Sequence, residues 1–119
     1  MRGDVDQLRR LLNAGADINA RDRHGQTGLM IAARDGKVEV TRFLIDGGAF
    51  LDQAAKFGLT ALMLAVVNGH VEIVRMLVQA GASLEPRGTG APGFAGKTAL
   101  DLATARGQAD LVEALRGVT

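Results

Sequence analysis

Apolar residues recur at helical spacing along this chain, in short runs that glycine interrupts. The runs "LMIAARD" (29–35), "LMLAVVN" (62–68) and "LDLATAR" (100–106) each stand shortly after a threonine and directly before a glycine. A threonine hydroxyl can accept a hydrogen bond from a free N–H group at a helix start, and glycine readily takes the left-handed conformation that ends a helix. The pattern predicts three short helices, each between one threonine and one glycine: Thr27 and Gly36, Thr60 and Gly69, and Thr98 and Gly107.

A second set of helices is predicted after these glycines and near the start of the chain. Apolar residues there lie three or four apart, which places them on one face of a helix. Each helix pair has too little apolar surface to fold alone, so we expect the pairs to stack and to share a core. The four apolar stripes are Val5-Leu8-Leu11-Leu12, Val38-Thr41-Leu44-Ile45, Val71-Val74-Leu77-Val78 and Leu111-Val112-Leu115.

The helix pairs form a repeat of 33 residues. Two glycine series keep this spacing: Gly3, Gly36 and Gly69, and Gly15, Gly48 and Gly81. The step from Thr60 to Thr98 is 38 residues, so five residues are inserted before the last unit. We predict one repeat domain over 1–119. Its units are a partial repeat (1–20), two repeats (21–53 and 54–86) and a last repeat (87–119) with the insertion at about 86–95.

The repeated segments "GQTGLMIAARDGKVEVTRFLIDGGA", "GLTALMLAVVNGHVEIVRMLVQAGA" and "GKTALDLATARGQADLVEAL" resemble the ankyrin repeat family. The family pattern is a Gly-x-Thr-Pro-Leu-His-x-Ala turn, a glycine between two helices and a closing Leu-Leu-x-x-Gly-Ala. The resemblance implies an all-α repeat solenoid of stacked helix-turn-helix units with β-hairpin-like loops. We expect the missing histidine hydrogen bonds to affect local stability and not the fold. Gly28, Ala61 and Ala99 replace the family's proline, and Met30, Met63 and Asp101 replace its histidine.

Composition narrows the class of protein. The 119 residues are 47% apolar and 23% charged with a net charge of +1, which is ordinary for a soluble folded chain and points to neither nucleic acid nor membrane. The absence of cysteine excludes a disulfide framework, a thiolate zinc site and a cysteine nucleophile. The longest apolar stretch is too short to span a membrane and the start lacks a secretory signal pattern. We therefore expect a cytoplasmic protein.

The segment "GTGAPGFAGKT" contains the glycine spacing of a dinucleotide-binding turn. Such a turn needs a buried strand before it and a parallel sheet around it, and the chain offers neither here. We interpret these glycines as a lengthened repeat loop. His24 and His70 occupy non-equivalent repeat positions, Ser83 has no histidine near it in the repeat map, and the acidic residues are scattered singly. We predict no enzyme activity, no cofactor and no metal site.

The resemblance implies that partners bind the concave surface formed by the hairpin tips and the exposed side of the first helices. Its cations, together with Arg2, outnumber its single acid, and four of its residues are apolar. Either Phe57 and Phe94 pack between adjacent hairpins or under the long loop, or the four apolar residues form an apolar hot spot inside a basic groove. The predicted partner-binding residues are Arg23, His24, Gln26, Arg34, Asp35, Lys56, Phe57, Leu59, Val67, Asn68, Phe94, Lys97 and Arg106.

The predicted function is non-catalytic binding of a protein or peptide that is acidic and carries an apolar anchor. One alternative is a structural or scaffold segment of a longer ankyrin protein without a dedicated partner. Another is a nucleic-acid binder, because bases stack on aromatic rings and phosphates attract Arg and Lys. Nucleic-acid binding would collapse between low and physiological salt and would be insensitive to Phe57→Ala.

The front of the chain aligns with the second half of a repeat, because Gly3 corresponds to Gly36. Val5, Leu8 and Leu11 would then face solvent where a first helix normally packs. We expect a piece of a longer repeat protein, self-association through this end, or a first helix that frays.

Overall fold

The computed structural model of this protein describes residues 2–90 and 93–117, with side chains from residue 4 onward. These ranges contain seven α-helices and a one-turn 3-10 helix at Lys56–Gly58. The α-helices are α1 (Arg2–Asn13), α2 (Gly28–Asp35), α3 (Val38–Asp46), α4 (Ala61–Val67), α5 (Val71–Gln79), α6 (Ala99–Arg106) and α7 (Ala109–Leu115).

The helices form two layers. The first helices of the repeats, α2, α4 and α6, contact one another in series, and the second helices α1, α3, α5 and α7 do the same in the other layer. Each first helix also packs on the second helix of its own repeat, as α2 does on α3. The predicted all-α solenoid is confirmed.

Threonine side chains start the first helices, as predicted. The hydroxyl oxygens of Thr27, Thr60 and Thr98 accept hydrogen bonds from the backbone N–H three residues on, at 3.3, 3.3 and 3.1 Å. Each helix therefore starts one residue before the predicted run, directly after its cap. Gly36 and Gly107 end α2 and α6 with φ of 74° and 73°.

We expect Thr60→Ala to lower the free energy of unfolding by about 1 kcal/mol, because the N–H of Met63 loses its acceptor. Thr60 is 3% exposed, so water replaces that acceptor poorly. Thr104→Ala is the matched control, since this exposed hydroxyl only bonds the carbonyl of Leu100 in its own helix. Urea unfolding of both variants measures the difference. Equal losses of unfolding free energy in the two variants would show that the Thr60 cap stabilises the fold no more than an exposed hydroxyl inside a helix does.

The core lies between the two layers and continues through all repeats. Side chains no more than 1% exposed include Leu29 and Met30 in α2, Leu62 and Met63 in α4, Ile73 and Leu77 in α5, and Leu111 and Leu115 in α7. Alanines at 0–2% exposure, such as Ala33 and Ala65, let neighbouring helices approach closely. Met30 and Met63 are core residues, as their spacing indicates.

Two of the residues that replace the family histidine still provide an acceptor at the turn. Asp101 Oδ2 accepts the Thr98 N–H at 3.0 Å, which completes a reciprocal cap. Met30 Sδ lies 3.4 Å from the Thr27 nitrogen in the same arrangement. The loss of the histidine is therefore partly compensated at these two turns.

Candidate binding surface

One backbone hydrogen bond closes each of the three hairpin-like loops. Asp22 N–H donates to Gln26 O at 2.9 Å, Ala55 N–H to Leu59 O at 2.8 Å, and Gly88 N–H to Lys97 O at 2.9 Å. Each tip runs from the residue after the donor to the acceptor: residues 23–26, 56–59 and, in the described part of the third loop, 89–90 and 93–97. The third loop is therefore the long one, and its additional residues lie at the tip.

The first two tips differ because the residue at the base of the loop differs. Asp22 Oδ1 accepts the N–H groups of His24 and Gln26, both at 2.9 Å, and holds the first tip. Ala55 stands at the same position of the second loop and has no carboxylate. The second tip instead forms a 3-10 turn in which Phe57 has a φ of 65°.

A pocket of about 220 Å³ opens between the first and second loops. It brings together five of the predicted partner-binding residues: His24, Gln26, Lys56, Phe57 and Leu59. Phe57 is 41% exposed, and Lys56 Nζ lies 5.3 Å from the centre of its ring. The arrangement joins an apolar wall to one cationic side chain, that of Lys56.

Two residues of this pocket are absent from the predicted set. Ala55 and Leu64 line it together with the five residues above. Leu64 is 9% exposed, and its repeat equivalents Ile31 and Leu102 are half-buried. Asp22 and Ala55 stand at equivalent repeat positions at the loop base, so this difference between the two loops can be read from the sequence.

Two predicted cations are engaged in internal contacts. Arg34 bonds the adjacent Asp35 carboxylate at 2.9 and 3.3 Å and also reaches Gln26 Oε1 at 3.3 Å. Arg106 donates to Val67 O and to Gln108 Oε1, both at 2.9 Å.

Successive repeats are linked through equivalent carbonyl groups at the ends of their first helices. His70 Nε2 lies 3.0 Å from Arg34 O, and Arg106 Nη1 lies 2.9 Å from the equivalent carbonyl of Val67. Asn68 uses its side-chain amide to bond Leu64 O at 2.9 Å. His70 and Arg106 therefore link successive repeats, whereas the Asn68 bond stays at the end of its own helix.

The remaining predicted cations are exposed. Among the described side chains no carboxylate forms an ion pair with Arg23, Lys56 or Lys97. The predicted contribution of Arg2 falls on a side chain outside the described part. Positive charge on this surface is therefore concentrated at the loop tips.

The two phenylalanines at the tips have different surroundings. Phe57 O accepts the Thr89 N–H of the long loop at 2.7 Å, and a β-carbon at Gly90 would lie 3.4 Å from the Phe57 ring. Phe94 is half-buried within its own loop, where its carbonyl accepts the Lys97 N–H at 2.9 Å. Phe57 thus packs against the third loop and still presents part of its ring to solvent.

We expect acid to weaken the fold through three aspartates. The pKa of Asp22 is lowered by the Gln26 N–H, that of Asp35 by the Arg34 side chain and that of Asp101 by the Thr98 N–H. A lowered folded-state pKa means that the stabilisation is present above the ordinary aspartate value of about 3.9 and is lost as pH falls through the lowered values.

Thermal unfolding followed by circular dichroism tests this pH dependence. The melting temperature should fall between about pH 5 and pH 2, and should fall less in an Asp22→Asn/Asp101→Asn double variant. An unchanged fall in the double variant would contradict the assignment.

Among the residues that the structure describes, no helix has the length and apolarity needed to cross a membrane. Nor do three or more described His, Cys, Asp or Glu side chains gather where they could hold a metal ion.

Comparison with known proteins supports the repeat architecture. A family model described as ankyrin repeats, in three copies, matches residues 1–88. No curated protein matches the chain at a significant level. The matched range includes the first two loops and the pocket between them, and it ends at Gly88, where the third loop begins.

Proposed function

The chain belongs to the ankyrin repeat family, and we propose that it is a non-catalytic module that binds a protein or peptide on the face formed by its loop tips and first helices. Ankyrin repeats are generally protein-interaction modules. The observation that carries the proposal for this face is the pocket at which five tip residues from two successive loops converge. Pockets with an apolar lining and a few polar groups are common recognition sites.

The charge of this face indicates the chemistry of the partner. Arg23, Lys56 and Lys97 are exposed at the tips. Cations without a carboxylate partner steer acidic segments toward a surface and favour them over basic ones. The apolar wall formed by Phe57 and Leu59 supports an apolar anchor on the same partner.

Capture from an extract of the source organism at moderate salt tests this function. The native chain is compared with a Phe57→Ala/Phe94→Ala variant that circular dichroism shows to be folded. Phe50→Ala is the matched control, since Phe50 is 60% exposed but lies outside the tip set. We expect a protein that both the native chain and the control retain and that the double variant loses.

Other outcomes of the same capture support other functions. A structural segment without a dedicated partner would retain the same proteins in all three forms, or none. A nucleic-acid binder would retain nucleic acid at low salt, lose it near physiological salt and tolerate Phe57→Ala. Either result would contradict the proposed function.

Self-association through α1 is a second proposal, supported by an apolar groove of about 290 Å³. Its lining includes Leu8, Leu11, Ile31, Val40 and Leu44, and Leu11 is 50% exposed. A second copy covering the groove would remove this apolar surface from water.

Light scattering at high protein concentration tests the self-association. We expect a dimer mass that returns to the monomer mass in Leu11→Asp. A native chain that remains monomeric at high concentration would rule this proposal out and would leave the binding face unaffected.

A further inference from the structure

Phe57 has an unusual backbone conformation. Its φ of 65° and ψ of 18° are left-handed, and it is the only non-glycine residue of the described part with positive φ. A bulky side chain on a left-handed residue costs free energy because its β-carbon crowds the backbone. His24, the repeat equivalent, lacks this conformation, so the repeat itself does not require it.

The third loop holds Phe57 in this conformation. Its Thr89 N–H donates to the Phe57 carbonyl at 2.7 Å, and Gly90 lies beside the Phe57 ring. The next residue is equally confined, because a β-carbon at Gly58 would lie 2.9 Å from the carbonyl oxygen of Arg87. The long third loop therefore packs on the tip of the second.

This conformation keeps the Phe57 ring at the pocket. Ala55, Leu59 and Leu64 provide the rest of an apolar lining, while Lys56 and His24 lie at the same opening. The pocket volume of about 220 Å³ is smaller than the roughly 300–1,000 Å³ of small-molecule sites, so only a small group fits. Strained residues are retained where the surrounding structure holds them, and they cluster at ligand-binding sites.

We propose that the pocket binds one aliphatic side chain of an extended acidic peptide segment, and that the third loop holds Phe57 in place as its wall. This inference rests on the proposed function and adds the site of the anchor and the element that forms it. Acidic flanking residues are assigned because Lys56 and Arg23 have no carboxylate partner among the described side chains. The Asp22 carboxylate is occupied by two backbone N–H groups.

A defined peptide tests the pocket directly. The probe is a fluorescein-labelled heptapeptide of glutamate and aspartate with one central leucine, and the matched probe has serine at the centre. We expect saturable binding of the leucine peptide, amide shifts in NMR spectra concentrated at residues 24–26 and 55–59, and affinity about tenfold lower for the serine peptide. No binding of the leucine peptide, or equal affinities, would overturn the proposal.

Variants at one position separate strain from binding. Phe57→Gly relieves the left-handed strain and removes the ring, so the melting temperature should stay level or rise while affinity falls about tenfold. Phe57→Ala removes the ring and keeps a β-carbon on a left-handed residue, so affinity should fall with no gain in melting temperature. Phe50→Ala should leave affinity unchanged. Unchanged affinity in Phe57→Gly, or a large fall in its melting temperature, would overturn the role of the strained ring.

A variant of the third loop tests how Phe57 is held. Thr89→Pro removes the N–H that donates to Phe57 O and changes none of the residues that line the pocket. We expect peptide affinity to fall several-fold in a chain whose helical circular dichroism is unchanged. Native affinity in this variant would contradict the role of the loop.

The binding face and the anchor pocket can be contradicted separately. If a captured partner is lost in the Phe57→Ala/Phe94→Ala variant but retained in Phe57→Ala alone, the binding face stands and the anchor pocket is wrong. If peptide shifts fall on α3, α5 and α7 instead, both proposals are wrong. Displacement of the peptide by a thymidine oligonucleotide at physiological salt would indicate a nucleic-acid site and overturn the peptide assignment.

Discussion

Leu77→Ala is expected to lower the free energy of unfolding by about 2–5 kcal/mol. Leu77 is 0% exposed in α5, the helix that packs between α3 and α7 in the second layer. The cavity left by the truncation cannot be filled from either neighbour without moving a helix. Because small domains are stable by only about 5–15 kcal/mol, this variant should lose a large part of its stability.

Urea unfolding followed by circular dichroism measures the loss. Leu84→Ala is the matched control, since Leu84 is 36% exposed, and its free energy of unfolding should change by roughly 0.5–1 kcal/mol at most. Similar losses in the two variants would show that the second layer does not carry the core.

Alanine at two glycines should change stability in opposite directions. Neither Gly88 nor Gly28 has a left-handed φ, so the space around the new methyl group decides the result. A β-carbon at Gly88 would clash with the carbonyl oxygen of Phe94, which is backbone, and we expect a loss of about 1–3 kcal/mol. A β-carbon at Gly28 would meet only Leu44 Cδ1 at 3.7 Å, and we expect a gain of up to about 1 kcal/mol.

The repeat equivalents support the gain at Gly28. Ala61 and Ala99 occupy its position at the start of α4 and α6 and are 1% and 2% exposed. Thermal and urea unfolding of both variants give the comparison. A stabilising Gly88→Ala would show that the third loop is less tightly packed than the structure indicates.

The helices and their stacking could be predicted from the sequence because their signals are local. A threonine cap, a short apolar run and a glycine lie within ten residues, and the repetition of this unit sets the stacking. Only the helix ends differ from the prediction. For example, α4 ends at Val67 and not at Asn68, whose side-chain amide donates to Leu64 O. Such shifts depend on hydrogen bonds that the apolar pattern does not encode.

The pocket could be predicted only in part, because it depends on contacts between loops. The tip residues were expected from the resemblance, but the Phe57 carbonyl accepts a hydrogen bond from Thr89, which lies 32 residues away in the next loop. For a similar reason, the sequence does not show which of the predicted binding cations make contacts within the fold. Arg106 reaches across to the carbonyl of Val67 in the preceding repeat, which charge counting along the sequence does not reveal.

Site-specific photo-crosslinking tests the central claim, that the loop tips form the binding face, most directly. A benzophenone amino acid replaces Arg23 or Lys97 at the tips, and Arg75 or Glu113 on the second helices serves as control; all four side chains are exposed. After irradiation in an extract of the source organism, we predict that the same partner protein is crosslinked from both tip positions and from neither control. Crosslinking of that partner from the second helices and not from the tips would contradict the account.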